Sequence, residues 1–323
     1  MRRTSARFKL GSAVAVVTAA ATIGGVTAWN GAAAEPEAAE TLAVGTPEGY
    51  GQNTTGGAGG EVVQVSDAGA FAEAAESDGP LQIEVSGTIS LSDMTDVTSD
   101  KTIIGVGSDA EITGSGLNVS EADNVIIQNL TFSNSNDDGI NVQYSTNVWI
   151  DHCDFTGASD GSLDIKRASD DITVSWNHVY DSDKNMLLGH DDDNSGEDVG
   201  NLKVSYHHNW FDATNQRNPR VRFGNPVHVY NNYYNDIGSY GVASTMDAGV
   251  LVEGNYFENV DDPYHLGEGD SGPGDLVARD NELVNSSEGE TGGSVSNPSY
   301  SYDLDPAADV KSIVTGGAGV GQI

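Results

Sequence analysis

The chain has 323 residues, enough for one large domain or two modest ones, with 40 glycines, nine prolines and a single cysteine. Abundant glycine with scarce proline excludes a collagen-like or proline-rich chain, and one cysteine excludes a scaffold stapled by internal disulfides. Forty-nine acids against 14 bases, a formal charge of −35, exclude nucleic acid or an anionic membrane as a general electrostatic partner.

Residues 1–34 hold Arg2, Arg3, Arg7 and Lys9 and no acid, then a stretch of Ala, Val, Gly and Thr from Leu10 to Trp29, then Ala32, Ala33 and Ala34. That order is the layout of a secretory signal peptide, so a secreted, extracellular protein is expected. A single membrane anchor is the alternative, since the stretch is about long enough to span; its weak hydrophobicity and small-residue exit favour cleavage, after which no membrane association is expected. Removing the leader leaves ten bases against 49 acids, a charge that keeps a chain hydrated where salt screens self-repulsion and so suggests a halophilic habitat. An acidic secreted protein from ordinary surroundings is the plainer reading. Residues 35–48 read as a linker, and residues 49–323 as one domain.

The first predicted element of that domain is a helix over Asp67–Glu76, DAGAFAEAAE, with aspartate or serine as N-cap and alanines behind. It is the one good helix candidate and suits a cap over the open end of a stack. A repeat then takes over, with instances starting at Lys101, Asn124, Asn147, Asp171, Asn201, Pro226, Gly249 and Asp275, each a short apolar strand, a polar residue and a second apolar pair. Steps of 23 to 26 residues with β-branched alternation and Gly/Asn/Asp punctuation argue for stacked coils, an all-β parallel β-helix. Seven steps at about 4.8 Å give a rod roughly 34 Å long. Asn177, Asn209, Asn232, Asn255 and Asn281 share one column, where left-handed corner geometry and coil-to-coil amide hydrogen bonds are expected. Cys153 falls in the same column and reads as a small buried corner residue rather than a nucleophile. One step is 30 residues long, which places an insertion after His190, through Asp191, Asp192 and Asp193. Insertions in solenoids gather on the binding face.

Two clusters carry chemistry. Asp160 and Asp164 lie in DGSLD, and Asp137 and Asp138 lie about one coil earlier, so Asp138, Asp160 and Asp164 can converge into a hard-cation site suited to calcium. Aspartate is everywhere in this chain, so a solvated acidic face is the competing reading. With so few bases available, the clustering of Arg217, Arg220 and Arg222, with Lys184 on a neighbouring coil, points to a carboxylated ligand. Charge compensation for nearby aspartates is the alternative.

In TIIGVG at 102–107, NVWIDH at 147–152, LDIK at 163–166, the R-x-P-x-x-R of Arg217, Pro219 and Arg222, VHVYNNYY from Val227 and the opening GYGQNTTGGAGG, the chain resembles the polysaccharide lyase family 1 pectate lyases over about residues 49–285. The resemblance implies a right-handed parallel β-helix, a secreted enzyme, calcium, and cleavage of polygalacturonate by β-elimination. It implies Asp138, Asp160 and Asp164 as calcium ligands, Lys184 and Arg222 as binders of substrate carboxylates, and Arg217 as the proposed base. Asp137 competes with Asp138 as ligand, and His152 resembles a structural residue. A monomer acting on pectin or polygalacturonate is expected. The rival readings are a calcium-independent pectin lyase on methylated chains, a polygalacturonase working by paired carboxylates, and a non-catalytic carbohydrate-binding β-helix.

Overall fold

The computed structural model describes residues 45–323. The leader at 1–34 and most of the 35–48 linker lie outside the described residues. Among the described residues the strands form three parallel sheets of ten, nine and eight strands, the architecture of a parallel β-helix. Each coil contributes one strand to each sheet in turn: Thr146–Asp151 to the first, Asp154–Thr156 to the second and Leu163–Lys166 to the third, before Asp170–Ser175 opens the next coil on the first sheet.

The strand at the start of every predicted repeat lies in the ten-stranded sheet. Inward residues stack in columns: Ile103, Ile127, Ile150, Val174, Tyr206, Val229 and Val252 stand in direct register, all fully buried. Each buried aliphatic side chain of this kind stabilises the fold by about 1.5–3 kcal/mol. A second column stacks Phe211 on Tyr234 and Tyr234 on Phe257, with ring centroids 4.9 and 4.4 Å apart.

The asparagine column is present and its hydrogen bonds run from coil to coil. Asn177 Nδ2 donates to Asn209 Oδ1, Asn209 to Asn232, Asn232 to Asn255 and Asn255 to Asn281, at 2.9 to 3.0 Å, while each backbone N–H bonds the same acceptor. The expected left-handed backbone sits one position earlier, at His152, Trp176, His208, Asn231 and Asp280. The asparagines therefore serve as hydrogen-bonding spacers, and the preceding residue makes the turn. Cys153 caps the column: it is buried, its N–H bonds Asn177 Oδ1, and burial pushes its thiol pKa up, which leaves it unreactive.

The predicted cap is helix α1, Ala68–Ala75, with Asp67 Oδ1 accepting the N–H groups of Gly69 and Ala70 at 3.0 Å and Phe71 fully buried. Two more coils than the repeat indicated precede Lys101, with first-sheet strands Glu61–Val65 and Leu81–Val85. Two further helices also escaped the sequence reading. Helix α2, Ser195–Asp198, lies in the insertion, where buried Asp198 accepts hydrogen bonds from the N–H groups of Ala168 and His190 and ties the loop to the solenoid. Helix α3, Ala307–Gly317, buries Val310 and Val314 in a cluster with Tyr233, Trp210 and Tyr256. No helix among the described residues is long and apolar enough to cross a membrane.

Candidate active site

The third sheet carries the chemistry on its outer face. Its central strands are Ile140–Gln143, Leu163–Lys166, Leu187–Leu188 and Arg220–Arg222, in that spatial order. Leu163 and Ile165 point inward and are fully buried, which turns Asp164 and Lys166 outward by strand alternation. Asp164 pairs in register with Asn141 and accepts the Leu187 N–H on its Oδ1 at 3.2 Å. Asp138, two residues before its strand, accepts the Gly161 N–H at 2.9 Å.

Gly161 explains how two carboxylates fit so close together. A Cβ there would lie 2.1 Å from Asp164 Oδ1 and 3.0 Å from Asp138 Oδ1, so any other residue would fill the space into which both oxygens project. Asp164 is nearly fully buried, and its burial, then the charge of Asp138, push its carboxyl pKa up to about 7, against the pull of Lys166 and Arg217. Lys166 Nζ bridges the pair at 3.0 Å from Asp138 Oδ2 and 3.5 Å from Asp164 Oδ2. Although its burial acts the other way, these two carboxylates raise the Lys166 pKa. Beside them Asp137, Asp138 and Asp160 each offer an oxygen within 4.8 Å of the others. These groups line a cleft of about 360 Å³ together with Asn118, Asn141, Arg167 and His190.

Asp160 joins this acidic cluster to the cations. Its Oδ1 accepts from Lys184 Nζ at 2.8 Å and lies 3.9 Å from Arg217 Nη1. Burial opposes ionisation of Asp160, but Lys184, Arg217 and Lys166 outweigh it and hold the carboxyl below the usual carboxylate range. Arg217 sits at a left-handed φ of 59° just before a cis Asn218–Pro219 bond. Asn218 pins that turn: fully buried, it accepts from Asn185 Nδ2 at 2.7 Å and donates to the Tyr240 carbonyl at 2.9 Å. Arg222 ends the short strand Arg220–Arg222 that follows this turn, its Nε 2.7 Å from Asp192 Oδ1. Between them Arg220 is held below the ordinary guanidinium pKa by burial and then by Arg222, with Arg217 adding to the same effect.

A family model described as pectate lyase matches residues 10–323. The chain belongs to the pectate lyase family. It is similar to the pectate trisaccharide-lyase of Bacillus licheniformis, 38% identical over 293 residues that cover 84% of each protein, and to pectate lyase A of Emericella nidulans, 41% identical over 277 residues covering 82% of this chain and 83% of the relative. Among solved structures it resembles a pectate lyase from Bacillus sp. N165 in complex with trigalacturonate, with TM-score 0.79 and 35% identity over 85% of this chain and 99% of that one. Membership makes it a polysaccharide lyase, as the motif resemblance implied.

Within this pectate lyase fold, all six residues singled out from sequence lie along the third sheet. Asp138 and Asp160 meet with Asp137; Asp164 meets Asp138 through Lys166; Lys184 and Arg217 meet Asp160; Arg222 faces the insertion. Lys166, Asp192 and Ser271 were not assigned a role from sequence, and Arg220 was read only as a member of the cluster pointing to a carboxylated ligand. Lys166 and Arg220 were visible as members of the small set of bases, and Asp192 lies in the flagged insertion. Ser271 carries no sequence signal at all.

Proposed function

We propose that the protein is a secreted pectate lyase that cleaves de-esterified polygalacturonate by calcium-assisted β-elimination, releasing oligogalacturonides unsaturated between C4 and C5. The observation that carries this is the junction at Asp160, where an acidic cluster fit for a hard cation touches Lys184, fit for a uronate carboxylate, and Arg217, the group assigned the proton. Lys184 and Arg222 fix the chain by its carboxylates and add positive potential around the reacting sugar. Arg217, in its neutral form, is assigned the C5 proton; the electron pair left behind forms the C4=C5 double bond as the C4–O glycosidic bond breaks, and the departing oxygen takes that bond's electron pair and a proton from water.

The residues present fit calcium. Asp137, Asp138 and Asp160 form an oxygen-only cluster, and Asp164 is a buried carboxyl, its pKa raised by burial and then by Asp138, whose ionised form a cation would favour and whose oxygen projects into a space kept open by Gly161. When bound there, calcium would offset the substrate carboxylate and make the adjacent C5 proton more acidic. Lys166 ties Asp138 to Asp164. Because a guanidinium gives up its proton only reluctantly, an alkaline optimum follows from assigning the base to Arg217.

A pectin lyase is disfavoured because a neutral methyl ester gives these cations and carboxylates nothing to recognise. The leader at residues 1–34 supports export to a compartment where the polymer is found. The test is ultraviolet detection of unsaturated product from de-esterified and from methylated polymer, with and without a chelator. Product from the de-esterified polymer, lost on chelation and restored by calcium, supports the reading. Turnover confined to methylated polymer and indifferent to chelator overturns it.

A further inference from the structure

Arg222 is held from one edge. Its Nε donates to Asp192 Oδ1 at 2.7 Å and its Nη1 approaches the Gly189 carbonyl at 3.4 Å, while Nη2 bonds no described residue. Gly189 makes this possible: a Cβ there would lie 2.7 Å from Arg222 Cβ, and its φ is +91°. Asp192 is itself tied down. Ser271 Oγ lies 2.7 and 2.8 Å from its two carboxylate oxygens, and Arg220 Nη2 donates to that same hydroxyl at 2.7 Å and to the Glu268 carbonyl at 3.1 Å. A serine has one O–H to give, so it donates to Asp192 and accepts from Arg220. Two loops that leave the solenoid on different coils thus meet over the third sheet and close the ring Arg222, Asp192, Ser271, Arg220.

This ring does two things at once. It uses the Nε edge of the Arg222 fork and leaves terminal nitrogen free, the part of a guanidinium suited to meet a carboxylate end-on. It also anchors the carboxylate that does the holding, so Asp192 is not a loose placeholder that a substrate must evict. The Arg222 side chain is 11% exposed and that of Asp192 35%.

We propose that Asp192, locked by Ser271, is a positioning residue for uronate binding: it aims Arg222 at the substrate carboxylate before the substrate arrives. The proposal rests on the reading of Arg222 as a substrate binder. It adds a function for the insertion after His190, which supplies the brace for a binding arginine that the core repeat alone leaves unheld. An arginine already fixed loses less side-chain freedom when the polymer binds, so the benefit falls on KM and not on the proton-transfer step.

The experiment is steady-state kinetics on polygalacturonate at saturating calcium for Asp192→Ala, Asp192→Asn, Ser271→Ala, Arg222→Ala and the double variant Asp192→Ala with Arg222→Ala. Asp192→Ala should raise KM about tenfold with kcat within about twofold. Asp192→Asn keeps an oxygen acceptor for Nε and should recover most of the loss; Ser271→Ala should raise KM about threefold, in the same direction. The double variant should be no worse than Arg222→Ala alone, because Asp192 acts through that side chain. A lower KM in Asp192→Ala would mean that Asp192 competes with substrate, and additive losses in the double variant would mean that it acts elsewhere; either overturns the proposal. If Arg222→Ala raises KM and Asp192→Ala does not, the brace alone is wrong. If Arg222→Ala leaves KM unchanged, the binding role of Arg222 has failed and the brace falls with it.

Discussion

Two polar columns run along the same coils and are built on opposite rules. The asparagine column is neutral, buried and saturated: Asn209 alone accepts from the N–H and the amide of Asn177 and donates to Asn232 Oδ1 and to the Val174 carbonyl. The cleft column on the third sheet is mixed, with Asn118, Asn141 and Asp164 in register, and crowds Asp164 against Asp138 with Lys166 as the described cation that touches both. Polarity in the first column serves the fold, since every donor meets an acceptor from the next coil. Polarity in the second is concentrated beyond what stability asks for, because burying a carboxylate beside another costs free energy that Lys166 offsets only in part, as the raised Asp164 pKa shows.

The sharpest way to break this contrast is to substitute one residue in each column. Asp164→Ala should abolish turnover, a loss of at least about a thousandfold, with little loss of stability, since a strained buried charge is removed. Asn209→Ala should do the reverse: unfolding free energy falls by about 3 kcal/mol as buried partners on two coils lose their bonds, while turnover at low temperature stays near wild type. Thermal melts beside rate measurements check both, and a stable but inactive Asn209→Ala would dissolve the distinction.

Within the cleft, Arg217→Lys should lower kcat about a hundredfold or more with calcium affinity and KM little changed, because lysine keeps the charge but loses the planar fork. Arg222→Lys should act chiefly on KM, raising it about tenfold. Equal effects of both substitutions on KM and kcat would leave no reason to separate base from binder.

A smaller effect sharpens the contrast on the first sheet. His207, whose Nδ1 bonds His208 Nδ1, is buried, and burial first, then the neighbouring histidines, hold its pKa well below the ordinary value. A histidine that stays neutral when folded but takes a proton when unfolded supports the fold fully above its unfolded pKa of about 6.5, and that support is lost as pH falls below it. The loss runs at up to about 1.4 kcal/mol per pH unit. Melts between pH 7 and 5 should therefore show a shallower decline for His207→Gln than for wild type. The smallest expected effect is that of sodium chloride: with the leader removed, ten bases face 49 acids, so screening should raise the melting temperature by a few degrees, on the order of a kcal/mol, and leave activity intact. A protein most stable in dilute buffer would contradict the halophilic reading.

The contrast also explains what sequence reveals. The repeat is legible because a short apolar strand followed by a polar residue recurs at steps of 23 to 30 residues, and each instance from Lys101 onward starts a strand of the first sheet. The earlier coils at Glu61–Val65 and Leu81–Val85 are separated by α1, which interrupts the repeat, so periodicity passes over them. Helix α3 has Pro306 at its N-cap position with no side-chain cap, and ends in Thr315, Gly316 and Gly317, so the usual start and stop signals are weak; what holds it is burial of Val310 and Val314. In the cleft, arginine and lysine stand out because the chain has so few of them. Aspartate stands out nowhere in a chain this acidic, so spacing alone could not separate Asp137 from Asp138, and Asp192 became visible only once the insertion was seen folded against Arg222 and Ser271.

The account turns on Asp160, the carboxylate shared by the acidic cluster proposed to hold calcium and by Lys184 and Arg217. The most direct measurement is the initial rate of unsaturated-product formation from polygalacturonate by wild type and by Asp160→Ala, each in chelator and in saturating calcium, with melting temperatures recorded alongside. The wild type should turn over only with calcium, and Asp160→Ala should be inactive in both while melting within a few degrees of wild type. Product formed at the wild-type rate in chelator, or by a folded Asp160→Ala, would contradict a single site built across that carboxylate.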